Sequence, residues 1–388
     1  MPDYYLNHMS LTCALGTATD GDADALAERL FRGDIDGMRQ GSPWLGPEHS
    51  RFGAVELALP QVPAHLAEYD CRNNRLAQQV VSGLQQPLEH LIERVGASRI
   101  GVVMGTSTSG IASGEQHLAD PGQKNYRYRY QQQMAALAEY VARYLQLDGP
   151  RLTVSTACSS SANAFASARR LLAMDVCDAV VVGGVDTLCG MTVTGFNGLG
   201  ALSAGHTRPF SADRDGINLG EAGAVFIMSR EPGPVRLCGV AASSDAHHMS
   251  APDPEGCGAE AAMAGALQDA GLQPADIGYL NLHGTGTPQN DSMEGRAVSR
   301  LLGEATPCSS TKPMTGHTLG AAGALEAAFS WLALTRGQLP PHCNGGDRDP
   351  ALPSLNLVRA SNGSVAPRYV MSNSFAFGGS NCSLILGN

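Results

Sequence analysis

The chain lacks any run of about 18 consecutive apolar residues, which excludes a transmembrane helix of ordinary length. Its start, Met1-Pro2-Asp3-Tyr4-Tyr5-Leu6-Asn7, has neither a basic nor an apolar segment, so no signal peptide is expected. Charge is scarce, at 16% of residues, and 26 basic against 36 acidic side chains leave a net charge of −10. That balance excludes a general electrostatic footprint for nucleic acid or an anionic membrane, and leaves only a local basic patch facing an acidic protein partner. The ten cysteines form no Cys-x-x-Cys pair, which argues against structural zinc and a thioredoxin-like redox site. Without a secretion signal the thiols are expected to be reduced and the protein cytoplasmic. No repeat with a period of about 20–50 residues is present, so a solenoid is excluded.

What the chain does have is length and small apolar residues: 388 residues, 43% hydrophobic, with 46 glycines. That suits two closely packed lobes better than one small core. Short apolar runs at Ile100–Met104, Ala179–Val182, Val225–Met228 and Ile277–Leu282 read as buried parallel strands. Between them, Ser159–Met174, Glu260–Ala270 and Leu319–Thr335 have helix length, so the pattern predicts an α/β fold. The cluster Glu231-Pro232-Gly233-Pro234 ends an element, either as a surface turn or as the junction between lobes at 1–234 and 235–388. Both sides carry a strand, a turn bearing reactive groups, and an Ala-rich helix. From Ser109 to Leu147 the chain is polar and aromatic. There Tyr126, Tyr128 and Tyr130 alternate with Arg127 and Arg129, which predicts an exposed strand, a dimer-facing surface or a solvated loop.

Four small-residue loops carry the candidate chemistry. Cys158, in Val154-Ser155-Thr156-Ala157-Cys158-Ser159-Ser160-Ser161, stands between an apolar run and a small-residue helix. A helix N-terminus there would favour thiolate and offer backbone N–H groups to an oxyanion, although most cysteines of reduced proteins are inert core residues. His283, in His283-Gly284-Thr285-Gly286-Thr287-Pro288, sits at the C-terminal end of a strand, where ligands gather in α/β sheets. In Lys312-Pro313-Met314-Thr315-Gly316-His317, the Lys can disfavour protonation of the His, and Glu326 on the next helix is within reach of Lys312. The tail Ser372-Asn373-Ser374-Phe375-Ala376-Phe377-Gly378-Gly379-Ser380-Asn381 is no dinucleotide loop, because no helix can follow it. It reads as a flexible loop facing the site, or as a turn before a last strand at Ser383–Leu386.

Together these loops make the chain resemble the elongating β-ketoacyl-acyl-carrier-protein synthases of the thiolase fold. Arg208-Pro209-Phe210-Ser211-Ala212-Asp213-Arg214-Asp215-Gly216 and Ser243-Ser244-Asp245-Ala246-His247-His248-Met249 extend the match, which runs from about Ile100 to Leu386. The first hundred residues match loosely. Four departures stand out: Ser211 where the family has Asp, Ala376 where it has Gly, Ser380 where it has Thr, and the triplet Ser159-Ser160-Ser161. They suggest a specialised branch, similar to synthases of aryl-polyene or type II polyketide pathways.

The resemblance implies a five-layered αβαβα body of two similar lobes, working as a homodimer or as a heterodimer with a ketosynthase-like subunit. It implies Cys158 as the nucleophile that takes an acyl chain from acyl carrier protein, with the N–H groups of Cys158 and Phe377 holding the oxyanion. His283 and His317 would stabilise the enolate left by decarboxylation of malonyl carrier protein, with Lys312 and Glu326 setting their protonation. Phe377, Ala376, Gly378 and Gly379 would form the gate, Thr285 and Thr287 would meet the phosphopantetheine arm, and no metal or redox cofactor would be needed. Ala376 is expected to restrict the gate, because Ala adopts positive φ only at a cost. Three other readings compete: a non-catalytic, chain-length-factor-like partner subunit, which usually lacks the nucleophile; a cysteine hydrolase; and a thiolase, for which Cys382 beside Asn381 is the residue to watch.

Overall fold

Apolar residues at every position, rather than every second one, distinguish the strands of this protein, because both faces of each sheet are covered. In the strand Ala179–Asp186, Val180 and Val182 face one core while Ala179, Val181 and Val185 face another. The computed structural model describes residues 3–120, 122, 125–343, 345–359 and 366–388. Its first five principal strands are β1 (Tyr5–Cys13), β2 (Ile100–Gly105), β3 (Arg151–Val154), β4 (Ala179–Asp186) and β5 (Ala222–Ser229), in the spatial order β3-β2-β4-β5-β1. The next five are β6 (Val235–Ser244), β7 (Tyr279–Asn281), β8 (Pro307–Ser309), β9 (Tyr369–Phe375) and β10 (Ser380–Gly387), in the order β8-β7-β9-β10-β6.

The second order is the first one repeated. The directions repeat as well: β2 runs parallel to β3 and β4, as β7 does to β8 and β9. β5 is antiparallel to β4 and β1, as β10 is to β9 and β6. The strand around Val225–Met228 is therefore antiparallel, correcting the expectation of parallel strands throughout. Its apolar run reports burial on both faces, which either direction produces. β1 meets β6 at Tyr5↔Arg236 and Leu6↔Val235, joining the two sets, and Glu231–Pro234 turns the chain from β5 into β6.

Five layers result. Helices α1 (Arg72–Ser82) and α2 (Ala136–Tyr144) cover the outside of the first sheet. Helix α3 (Ser160–Ala173) lies between the sheets, and α4 (Gly190–Gly198) follows β4. Helices α5 (Cys257–Ala270) and α6 (Pro288–Leu302) cover the second sheet, and α7 (Ala322–Arg336) packs on α3 in the middle. The central pair is Ala-rich because it is enclosed on all sides: a Cβ on Gly323 would lie 2.7 Å from the Ala162 nitrogen. A short 3-10 turn at Leu319–Ala321 precedes α7. The Tyr126–Tyr130 segment is not a strand: Tyr128–Gln131 forms one helical turn. Tyr126 stacks on His117 and Tyr130 packs edge-on against Tyr69, so aromatic contacts that only the fold brings together override the alternating pattern.

Candidate active site

The repeated topology places the loops after β3, β7 and β8, and the β9–β10 loop, around one narrow cleft lined by Cys158, His283, His317, Thr285, Thr287 and Phe377. Cys158 sits in the turn from β3 into α3, directly after Ala157, whose φ of +50° is left-handed. Such a turn strains an L-residue by about 1–2 kcal/mol and thrusts the next side chain outward. Ser160 braces it: its Oγ accepts from Thr156 N at 2.9 Å and donates to the Ala157 carbonyl at 2.6 Å.

The Cys158 thiol is buried, and burial pushes its pKa up to about 11. Backbone N–H groups of Phe377 and Cys158 and the Lys312 charge pull it down, while Asp186 adds to the rise. This corrects the expectation of a favoured thiolate. The helix terminus and the cation are present, but removing the sulfur from water outweighs them. At neutral pH Cys158 is a thiol.

His283 follows β7 and stands 5.2 Å, ring to ring and perpendicular, from His317. Burial, and then the nearby Lys312, hold both imidazoles well below their ordinary pKa, so they are neutral at physiological pH. His283 Nδ1 and both ring nitrogens of His317 are buried with no hydrogen-bond partner among the described residues. Two neutral imidazoles with unspent N–H capacity are suited to hold an oxygen that becomes negative. Lys312 Nζ donates to Glu326 Oε1 at 2.5 Å, with both side chains buried. The backbone holds His317 on both sides: its N–H donates to the Asn218 carbonyl at 2.7 Å and its carbonyl accepts from Gly220 at 2.9 Å.

Thr285 and Thr287 join their hydroxyls at 2.9 Å, and Thr287 also caps α6 by accepting from Asn290 N. In the β9–β10 loop, Phe377 is 37% exposed and stacks on Phe196 of α4 at 5.3 Å, and both rings line the cleft. The left-handed residues of this loop are Gly378 and Gly379; Ala376 is not among them. In this conformation, then, the Ala376 methyl meets no φ penalty, and the freedom to hinge belongs to the glycine pair. Ser211 Oγ lies 2.5 Å from Asp213 Oδ1 and 2.9 Å from the Asp347 carbonyl, either of which can take its one proton. Cys382 lies buried within β10, and its pKa is also raised by burial to about 12.

Two carboxylates that sequence reasoning passed over organise these loops. Glu294 on α6 accepts from the backbone N–H of His283 and of Gly284, each at 2.7 Å. Burial raises its pKa to about 7 despite those two donors. Asp186, the last residue of β4, accepts from the backbone N–H of Ser107 and Thr108 and, across the lobes, from Gly320 at 2.6 Å. An acid ending an apolar strand was a visible signal for Asp186. Glu294 gave none, because its closest partners are backbone groups, with the side-chain amides of Asn290 and Asn373 farther off at 3.4 Å.

Residues 77–232 match the β-ketoacyl synthase N-terminal domain and residues 235–345 the β-ketoacyl synthase C-terminal domain. A 3-oxoacyl-[acyl-carrier-protein] synthase 2 from Synechocystis is 32% identical over 384 residues, 90% of this chain and 92% of that protein. A ketosynthase solved in complex with its chain length factor, from Xenorhabdus doucetiae, is 46% identical with a TM-score of 0.94, covering 100% of this chain and 98% of its own. A β-ketoacyl synthase from Burkholderia phymatum superposes with a TM-score of 0.87 at 28% identity, each chain covered in full.

Proposed function

We propose, on the premise that this chain belongs to the β-ketoacyl synthase family, that it is a 3-oxoacyl-[acyl-carrier-protein] synthase, an acyltransferase catalysing decarboxylative condensation. The observation that carries the reading is a buried thiol facing two neutral, unpartnered imidazoles beside a buried Lys–Glu pair. In the first half-reaction Cys158 Sγ attacks the thioester carbonyl of an acyl chain carried on the phosphopantetheine of acyl carrier protein. The carbon–sulfur bond to pantetheine breaks, and the thiol proton ends on the departing pantetheine sulfur. The N–H groups of Cys158 and Phe377 hold the oxyanion.

In the second half-reaction malonyl carrier protein enters past Thr285 and Thr287. The carboxyl carbon leaves as carbon dioxide, and its bonding pair forms an enolate whose oxygen accepts from His283 and His317. The enolate carbon attacks acyl-Cys158, the carbon–sulfur bond breaks, and one proton from solvent restores the thiol. The two histidines act where charge exists mainly in the transition state, so removing one donor costs about 2.7–4 kcal/mol of barrier. Lys312, positioned by Glu326, keeps them neutral.

The two lobes of this enzyme are 1–234 and 235–388, and it works in the cytoplasm as a dimer with itself or with a ketosynthase-like subunit. The relative solved with a chain length factor supports the heterodimer, and among the described residues no helix is long and apolar enough to cross a membrane. The departures at Ser159–Ser161, Ser211, Ala376 and Ser380 support an aryl-polyene or type II polyketide branch. A non-catalytic partner role fits less well, because Cys158 is present and stands at the oxyanion donors.

Intact-mass analysis after incubation with acyl carrier proteins tests the reading. Acylation at Cys158 that is lost in Cys158→Ala is expected, together with carbon dioxide release that falls in His283→Ala and His317→Ala. An acyl group that persists in Cys158→Ala, or normal decarboxylation in both histidine variants, would refute it.

A further inference from the structure

The nucleophile turn and the gate loop come from opposite lobes, and a single side-chain hydrogen bond ties Ser159 to Ser380, with 3.0 Å between their hydroxyl oxygens across 221 positions of sequence. Ser159 is fully buried and has one proton. The carbonyl of Thr156 lies 2.9 Å from its Oγ and can only accept, whereas the hydroxyl of Ser380 can donate. Thr156 Oγ1 at 3.0 Å and Asn163 Nδ2 at 3.3 Å also reach Ser159 Oγ, and when its one proton goes to the Thr156 carbonyl, the bond to Ser380 is one that Ser380 donates.

The position of this bond gives it a role. Ser159 directly follows Cys158. Ser380 closes the loop that carries Phe377, its carbonyl accepting from Ala376 N at 3.0 Å. The backbone N–H groups of Cys158 and Phe377 both bear on the same sulfur. An oxyanion hole needs its two donors within about 2.7–3.1 Å of one oxygen, yet here they belong to different lobes. The loop itself is soft, with left-handed glycines at 378 and 379. Its other backbone hydrogen bonds run to its own lobe, from Gly378 N to the Met249 carbonyl at 2.8 Å and from Asp245 N to the Gly379 carbonyl at 2.9 Å. Those bonds hold the loop to the second lobe; toward the first lobe the stacking of Phe377 on Phe196 holds the ring, and the Ser159–Ser380 bond is the hydrogen bond that reaches the turn of Cys158.

We propose that the Ser159–Ser380 hydrogen bond is the spacer of the oxyanion hole, and that Ser380 is a positioning residue setting the separation of the Cys158 and Phe377 N–H groups. The inference rests on the reading of Cys158 as the acyl acceptor. A neutral hydrogen bond between two hydroxyls is modest in strength, so it fixes the closed loop and still yields when a chain must enter.

The test compares two reactions of the same thiol in the full-length enzyme, each followed on the Cys158 peptide by mass spectrometry. Acylation by octanoyl-pantetheine attacks a carbonyl and needs the oxyanion hole; alkylation by iodoacetamide is displacement at saturated carbon and does not. Ser380→Ala is expected to slow acylation about tenfold, less than the roughly 10²–10³-fold loss of a whole donor, and to leave alkylation at the parental rate. Ser380→Thr keeps the hydroxyl and should acylate as the parent does. The pair Ser159→Ala with Ser380→Ala should be no slower than the slower single variant, as partners in one bond are coupled. Parental acylation by Ser380→Ala overturns the proposal, and so does equal slowing of both reactions, which would mark general damage to the site. A parent that is alkylated but takes no acyl group from any carrier thioester refutes the synthase reading itself, and this inference with it.

Discussion

Replacing Lys312 by Met removes a cation of similar length from a fully enclosed place, 2.5 Å from Glu326 Oε1 and near both histidines. Glu326 then has no counter-charge. Burial already raises its pKa, and only Lys312 pulls it down, so in Lys312→Met the carboxyl takes up a proton. Protonating a carboxyl of ordinary pKa 4.5 at pH 7 costs 1.36 kcal/mol for each of two and a half units, about 3.4 kcal/mol. That lies within the range of about 3–5 kcal/mol for breaking a buried pair.

The sign follows from proton counts. Above pH 4.5 the folded variant holds a proton that its unfolded chain has released, so its stability falls as pH rises, and more steeply than that of the parent, in which Lys312 opposes the rise that burial gives the Glu326 pKa. The deficit against the parent should therefore grow from pH 6 to pH 7, with the full protonation cost of about 3.4 kcal/mol as its upper bound at pH 7. Guanidinium unfolding of parent and variant at the two pH values measures it. Adding Glu326→Gln should recover most of the loss and abolish the slope, because no titrating group remains buried alone. A deficit that does not change with pH, or one below about 1 kcal/mol at pH 7, would refute the buried-pair account. In the same variant the histidine pKa values rise, since Lys312 no longer depresses them, and the acid limb of carbon dioxide release moves to higher pH.

Three further outcomes can be measured. Iodoacetamide alkylation of Cys158 should keep accelerating about tenfold per pH unit through the usual thiol range toward its pKa of about 11, where a favoured thiolate would instead give a plateau near neutrality. Glu294→Gln puts an amide N–H against the backbone donors of His283 and Gly284; single-turnover assays should show malonyl decarboxylation slowed about tenfold or more with loading of Cys158 little changed. Gly379→Ala should slow loading across every acyl chain offered, because a Cβ there would lie 2.9 Å from Asp245 Cβ at a φ of +78°, whereas Ala376→Gly should leave chain preference as it is.

The sequence by itself determined the class of fold and singled out the residues that the fold gathers at one cleft. Unbroken apolar strands alternating with Ala-rich helices permit only a covered α/β body, and Cys158, His283, Lys312 and His317 are each set in loops of small residues that nothing else requires. Composition held one more signal: the chain has only two lysines, Lys124 and Lys312, so a cation that is not Arg was already unusual. Tertiary structure alone decided the antiparallel pairing of β5, the helical turn at Tyr128–Gln131, and the carboxylates of Glu294 and Asp186 gathering backbone N–H groups from distant loops. It also decided the sign of the Cys158 shift. A helix terminus can be read from neighbouring residues. Burial, which outweighs it, is the sum of everything both lobes pack around the sulfur, and no local stretch of sequence contains that sum.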